Sequence, residues 1–136
     1  MATEEKVEHV ISNEIALTLR PLFALMPLLE QAQGRCILAS SQGLQDLSQQ
    51  RLKDRWRDWP HYLAAKAATE VIWEVAGSQY PSVQFSRLRL PPMRTALVMR
   101  SSVANEHAHP PREVADQIVE RLAIGDAQAL PYEEMS

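Results

Sequence analysis

The sequence predicts a single α/β domain with a parallel sheet, and three observations point to that class. Segments of helical periodicity alternate with short apolar runs of strand length, in the order helix, strand, helix, strand, helix. Glycine or proline stands at most of the boundaries between these segments. The segment between the two strands is long enough to hold a helix, which parallel strands require of their connection. At 136 residues the chain has the size of one domain, so residues 1–136 are predicted to form one unit.

The first element is predicted to be a helix over about residues 4–33. Glu4 and Glu5 lie in its first turn, where acidic side chains complement the helix dipole. The apolar residues that follow cover more than one stripe, which is typical of a helix buried on two sides. Pro21 and Pro27 are expected to kink or divide this helix.

A short buried strand is predicted next, because Gly34 breaks the helix and Cys36-Ile37-Leu38-Ala39 is an apolar run. Residues 42–59 are rich in glutamine and charged side chains, and we expect them to form a polar loop. Pro60 suits the first turn of a second helix. That helix is predicted to reach about residue 76 and to end at Gly77.

The last third of the chain predicts a second strand and a third helix. Residues 83–88 largely alternate apolar and polar side chains, and Pro91-Pro92 ends the run. Pro110-Pro111 opens a helix with apolar residues at helical spacing. Residues 129–132 are expected to form a short last strand. The sequence therefore predicts two or three parallel strands and three main helices.

Composition and charge exclude several classes of function. The net charge of −3 provides no basic surface, so nucleic acid is not an expected partner. The longest apolar run, residues 22–29, contains a proline and is shorter than a bilayer span, so we expect no membrane partner and a cytoplasmic location. One cysteine, Cys36, fits a reducing compartment. His107 and His109 have no further ligands at useful spacing, so no metal is expected.

The most informative motif is Tyr62-Leu63-Ala64-Ala65-Lys66, in which a tyrosine and a lysine lie four residues apart on one face of a helix. An ammonium held in that position stabilises the phenolate form of the tyrosine. Ser41, at the end of the first predicted strand, is placed to orient a carbonyl beside the phenol. This set of side chains is the acid–base arrangement of a carbonyl reductase.

These residues resemble the C-terminal half of a short-chain dehydrogenase/reductase. That family opens a helix with Tyr-x-x-x-Lys, which Tyr62 and Lys66 match, and places a catalytic serine after a strand, as Ser41 is placed here. Asn13 lies at the distance of the family's catalytic asparagine, and Thr95 corresponds to a threonine that contacts the nicotinamide amide. The Pro-Pro turn before Thr95 is similar to reductase-like domains of polyketide and nonribosomal peptide multienzymes.

The resemblance implies a truncated Rossmann-like unit that lacks the N-terminal nucleotide-binding half. The chain has four glycines, and no two of them have the spacing of a glycine-rich turn that binds a pyrophosphate. The first strand would lose its usual neighbour, and such an edge must be covered or paired. The family's dimer packs the two long helices as a four-helix bundle. The resemblance therefore implies a homodimer, or a complex with a nucleotide-binding or multienzyme partner.

Three functions follow from this resemblance, and the sequence leaves them open. The first is a dimerisation or protein-interaction module, a pseudoenzyme that binds no cofactor alone. The second is the catalytic half of an NAD(P)H-dependent ketoreductase, completed by another chain or domain that allows NADP or NAD to bind. In it Tyr62 donates the proton, Lys66 assists it, Ser41 orients the carbonyl and Asn13 holds a relay water. The third is a fold remnant that binds an acyl or carrier-protein partner without chemistry.

Overall fold

The computed structural model describes residues 3–50, 56, 59–95 and 108–123. Within those ranges the chain is a mixed α/β fold with four helices and one two-stranded sheet. The elements are helix α1 (Glu4–Ala32), strand β1 (Arg35–Ser41), helix α2 (Gln42–Ser48), helix α3 (Pro60–Gln79), strand β2 (Gln84–Leu90) and helix α4 (Pro111–Ala123). The predicted α/β class is confirmed.

The two strands are parallel, as predicted, with Arg35 opposite Gln84 and Ser41 opposite Leu90. Helix α3 contacts both strands and helix α1. Helix α1 reaches the sheet through Leu22 and Met26, which share a core with Cys36 and Leu38 of β1. The apolar core lies between these helices and the sheet, and it is built from Leu22, Met26, Cys36, Leu38, Trp73, Ala76 and Val83. Burial within this core raises the pKa of the Cys36 thiol. Among the described residues, the sheet is thus stabilised by packing against helices rather than by its own width.

Helix α1 runs without a break through Pro21 and Pro27, so these prolines do not divide it, and the expected kink stays a prediction. Each proline removes one backbone hydrogen bond, but Leu22 and Met26 anchor the same stretch in the core. The helix ends where Gln33 adopts a left-handed conformation, with φ of 48°, and its N–H bonds the Glu30 carbonyl. Packing against the sheet and α3 therefore overrides the two prolines.

The prediction of a polar loop after β1 is wrong over residues 42–48, which form α2. The Ser41 hydroxyl caps this helix by accepting a hydrogen bond from the Gly43 N–H at 3.1 Å. Leu44 packs with Trp56 and Leu63 in a second apolar cluster. These contacts outweigh the low helix propensity of the polar residues around them.

The predicted end of α3 at Gly77 is also wrong, because the helix continues to Gln79. Glycine weakens a helix interior by only about 1 kcal/mol, and this glycine faces Phe85 of β2. Strand β1 extends one residue before and two residues after its predicted bounds, whereas β2 begins one residue later and ends two residues later than predicted. The short strand expected at residues 129–132 lies outside the described residues.

Gly43→Ala is expected to destabilise the fold by about 1–3 kcal/mol, because overpacking forces neighbouring side chains to move. An added Cβ would lie 2.7 Å from Leu63 Cδ2 and 3.0 Å from the Trp56 ring. Gly77→Ala is the control, since its Cβ would meet Phe85 at 3.4 Å and alanine favours a helix interior. Urea unfolding of both variants checks this, and equal midpoints would contradict it.

Candidate functional site

Tyr62 and Lys66 lie side by side in the first two turns of α3. The Lys66 ammonium is 5.8 Å from the centre of the Tyr62 ring, within the range of a cation–π contact. Pro60 occupies the first turn of α3 and fixes where this helix begins. The helical spacing of the motif therefore brings these two side chains together.

The charge of Lys66 is balanced by a carboxylate from another helix. Lys66 Nζ bonds Glu14 Oε1 of α1 at 2.5 Å, and the two side chains are 16% and 27% exposed. The same ammonium donates to the Ala39 carbonyl of β1 at 3.3 Å. Lys66 thus joins α3 to α1 and to β1, and its positive charge is already paired.

Ser41 is almost completely buried, with 2% of its surface exposed. Its hydroxyl oxygen accepts the Gly43 N–H and so caps α2. The position ends β1, as the sequence predicts, but the side chain has a local structural partner. Within the described residues, no hydrogen bond joins the side chains of Ser41, Tyr62 and Asn13.

Tyr62 belongs to an aromatic cluster at the beginning of α3. Its ring stacks on Trp56 at 6.3 Å between centroids and meets the edge of Trp59 at 6.1 Å. The Trp56 indole N–H donates to Asp46 Oδ2 at 3.0 Å, which ties the cluster to α2. The ring of Tyr62 is therefore held by packing as well as by Lys66.

The two remaining candidate residues lie apart from this pair. Asn13 is exposed on α1 and its side chain hydrogen-bonds His9, four residues earlier, at 2.9 Å. Thr95 is half-buried after β2, and its N–H donates to the Met93 carbonyl at 2.7 Å. Met93 also forms an isolated parallel bridge with His109. The residue of α1 that contacts Lys66 is Glu14, the neighbour of Asn13.

A buried ionic cluster is the strongest polar feature of the fold, and the sequence analysis did not identify it. Glu70 of α3 accepts hydrogen bonds from the Ser40 hydroxyl at 2.5 Å and from Arg89 Nε and Nη2 at 2.9 and 2.6 Å. Arg87 Nη1 lies 3.5 Å from the same carboxylate. The carboxylate therefore bridges α3 to both strands. The signal in the sequence was the pair Arg87 and Arg89, two positive charges on the same side of one strand.

This environment keeps Glu70 ionised. Burial raises the pKa of Glu70, but hydrogen bonds from Arg89 and Ser40 and the two arginine charges outweigh that effect, so the pKa is lowered overall. The hydrogen bond to Glu70 in turn raises the pKa of the Arg89 guanidinium. All polar atoms of the carboxylate are occupied by these partners, which is typical of a structural ion pair.

An open groove lies between α1 and the edge of β1 that faces away from β2, and no strand of the described residues pairs with that edge. It encloses about 480 Å³ and is mostly apolar. One wall is a stripe of α1 that contains Leu17, Pro21 and Leu25, and the other is β1 from Arg35 to Ala39. Lys66 and Glu14 lie at one end of the groove. A cleft of this size falls in the range of binding pockets.

Helix α3 has a second apolar surface that faces away from the core. Its side chains lie at i, i+4, i+7 and i+11, so they share one side of the helix; they are Ala64, Ala68, Val71 and Val75. Val71 is 64% exposed and Val75 is 50% exposed. We call these four residues the α3 stripe. It is separate from the groove, whose lining does not include them.

By length and composition, α1 is able to cross a membrane. Its most apolar window has a mean hydropathy of 1.2, and 11% of that window is buried. Core helices and signal sequences have the same composition, so the expectations of no membrane partner and a cytoplasmic location stay predictions. Within the part of the chain that the structure describes, no three His, Cys, Asp or Glu side chains form a group able to hold a metal ion.

No protein-family model matches the chain, and no curated protein is significantly similar to it. The geometry described above is therefore the basis for a functional argument.

Glu70→Gln is expected to lower the free energy of unfolding by about 3 kcal/mol, because it leaves a largely buried arginine without its counter-charge. Glu74→Gln is the control, since the Glu74 side chain is 80% exposed and its ion pair with Arg87 lies at 3.6 Å. Chemical unfolding at neutral pH measures both variants. Equal stabilities would contradict the bridging role of Glu70.

The same variant has a defined pH signature. Because the pKa of Glu70 is lowered by folding, its stabilisation is complete above the unfolded value of about 4.3 and is lost as the pH falls through the folded value. The stability difference between the wild type and Glu70→Gln is therefore expected to shrink below pH 4.3.

Proposed function

We propose that the chain is a truncated short-chain-dehydrogenase-like domain that acts as a dimerisation or protein-interaction module, with little or no activity alone. We place it in a biosynthetic multienzyme of the polyketide type, and we propose a homodimer as its basic assembly. The α3 stripe is the observation that carries the interaction role. The side chain of Val71 is 64% exposed and that of Val75 is 50% exposed, whereas the opposite side of the same helix is buried.

The chemistry of the α3 stripe fits a helix of a second copy. Ala64 and Ala68 are small, so they allow the backbone of another helix to approach closely. Val71 and Val75 continue the same side and supply apolar area that association would remove from water. A two-fold axis beside α3 would pair the stripe with itself, which is the usual geometry of a homodimer.

The state of the reductase-like residues supports a module rather than an enzyme. Lys66 is paired with Glu14 of α1, so its charge already has a carboxylate partner. The Ser41 hydroxyl caps α2 and is buried. Asn13 bonds His9 on the exposed side of α1. In this proposal the resemblance reflects origin, and these side chains now stabilise the fold.

Val71→Glu is expected to convert a dimer to a monomer, because a charge would be buried against its symmetry mate at the proposed interface. Light scattering after size exclusion measures the mass. The control is Val119→Glu on α4, where the valine is 66% exposed but lies outside the α3 stripe. If both variants keep the wild-type mass, α3 is not the interface.

The second candidate is the catalytic half of an NAD(P)H-dependent ketoreductase completed by another chain. One observation favours it, namely the contact of Lys66 with the Tyr62 ring at 5.8 Å. Lys66 also bonds Ala39 near the C-terminal end of β1, and ligands of open α/β sheets bind beyond that end of the strands. In this candidate NADP or NAD would need the surface of the completing partner.

Titration of NADPH and NADH into the purified chain separates the two candidates. If the chain is an interaction module, we expect no saturable change in nicotinamide anisotropy up to millimolar NADPH or NADH. Saturable binding in the micromolar range, lost in Lys66→Met and kept in the exposed-lysine control Lys6→Met, would favour the ketoreductase half.

A further inference from the structure

We propose that the groove between α1 and β1 binds an extended apolar peptide segment of a partner protein, which adds to the sheet beside β1 and places an acidic side chain next to Arg35. This inference concerns a different surface from the α3 stripe. Either proposal can therefore fail while the other holds.

The first argument is the direction of the backbone groups of β1. The Gln84 N–H donates to the Gly34 carbonyl at 2.9 Å, which fixes the register of the parallel ladder. Because the ladder alternates, the N–H and C=O groups of Ile37 and Ala39 point away from β2 and into the groove. The bond from Lys66 to the Ala39 carbonyl agrees with this direction. Within the described residues, β2 is the one strand that pairs with β1.

The second argument is the chemistry of the opposite wall. Leu17 and Leu25 of α1 are 73% and 50% exposed and line the groove with Pro21. A lipid chain would cover this wall but would leave the N–H groups of Ile37 and Ala39 without acceptors. A helix uses its backbone groups internally. An extended peptide offers both apolar side chains and alternating backbone donors and acceptors, so it is the occupant that fits both walls.

The third argument is charge, which differs at the two ends of the groove. At one end Lys66 is neutralised by Glu14. At the other end the Arg35 guanidinium donates to the amide oxygen of Gln84 at 3.0 and 2.9 Å, an acceptor that carries no charge. The groove thus presents one positive charge paired with a neutral group. A carboxylate on the bound segment complements it.

Lys66 has a definite role in this arrangement. Lysine side chains at the edge of a sheet are a common means of preventing unwanted pairing, and Lys66 reaches the edge of β1 from helix α3. Here its ammonium covers the Ala39 carbonyl while Glu14 holds it in position. A backbone N–H of the bound segment would donate to the Ala39 carbonyl in place of Lys66, and Lys66 would keep its ion pair with Glu14.

The test uses two synthetic heptapeptides. Each has a glutamate at both ends, and valine and threonine alternate over the five residues between them. One has ordinary amides, and the control has alternate amide nitrogens methylated, so it keeps the side chains but cannot form the ladder. We expect the first peptide to slow hydrogen exchange at the Ile37 and Ala39 amides at least tenfold, and the second to leave it unchanged. NMR of the full chain measures both.

Variants identify the walls in the same assay. Leu25→Asp is expected to weaken binding of the unmethylated peptide at least tenfold. Leu47→Asp on α2 is the matched control, because Leu47 is 49% exposed and lies outside the groove. Arg35→Gln is expected to weaken this peptide about fivefold and to leave a peptide with terminal glutamines unaffected.

Three results would overturn the proposal. Equal binding of the methylated peptide would show that backbone pairing is not involved. Slow exchange at Ile37 and Ala39 in the free chain would mean that the edge is already covered. The third result is that the wild-type chain binds phosphatidylcholine vesicles, Leu25→Asp does not, and neither peptide binds. In that case the α1 wall would be a membrane-binding surface. None of these results depends on the mass of Val71→Glu, so the dimer proposal is tested separately.

Discussion

The position of the two strands depends on one buried carboxylate. A two-stranded parallel sheet has too little of its own surface to be stable without a covering layer. Glu70 of α3 supplies a fixed point for both strands, because it accepts hydrogen bonds from Ser40 of β1 and from Arg89 of β2. Removing the carboxylate would leave the arginine partly buried and without its counter-charge, so the arrangement is stabilising only when it is complete.

Once α3 is fixed on the sheet, Lys66 and Glu14 fix α1 against it. The two long helices then pack against each other and against the sheet, and they turn their remaining apolar residues outward. Among the described residues, this geometry leaves the α3 stripe and the groove beside β1 uncovered. The residues that resemble a reductase site thus take part in the packing that presents those surfaces.

The sequence predicted the long elements because their periodicity and their breakers are local signals. It missed α2 although the Ser41 cap is a local signal. The packing of Leu44 on Trp56 and Leu63, which stabilises this polar helix, depends on residues farther along the chain. It also missed the Glu70 cluster. The alternation in β2 predicted a strand but could not indicate that the side of Arg87 and Arg89 faces a buried carboxylate. The neighbours Tyr62 and Lys66 were predictable from helical spacing, whereas the pairing of Lys66 with Glu14 is tertiary.

We propose that this chain works by association through surfaces that its own fold leaves uncovered. Sedimentation equilibrium of the wild-type chain, from low micromolar to several hundred micromolar, tests that claim most directly. Self-association through the α3 stripe predicts a reversible rise from 15.4 kDa towards twice that mass, without larger species. A mass that stays at 15.4 kDa over the whole range would contradict self-association as the basic assembly.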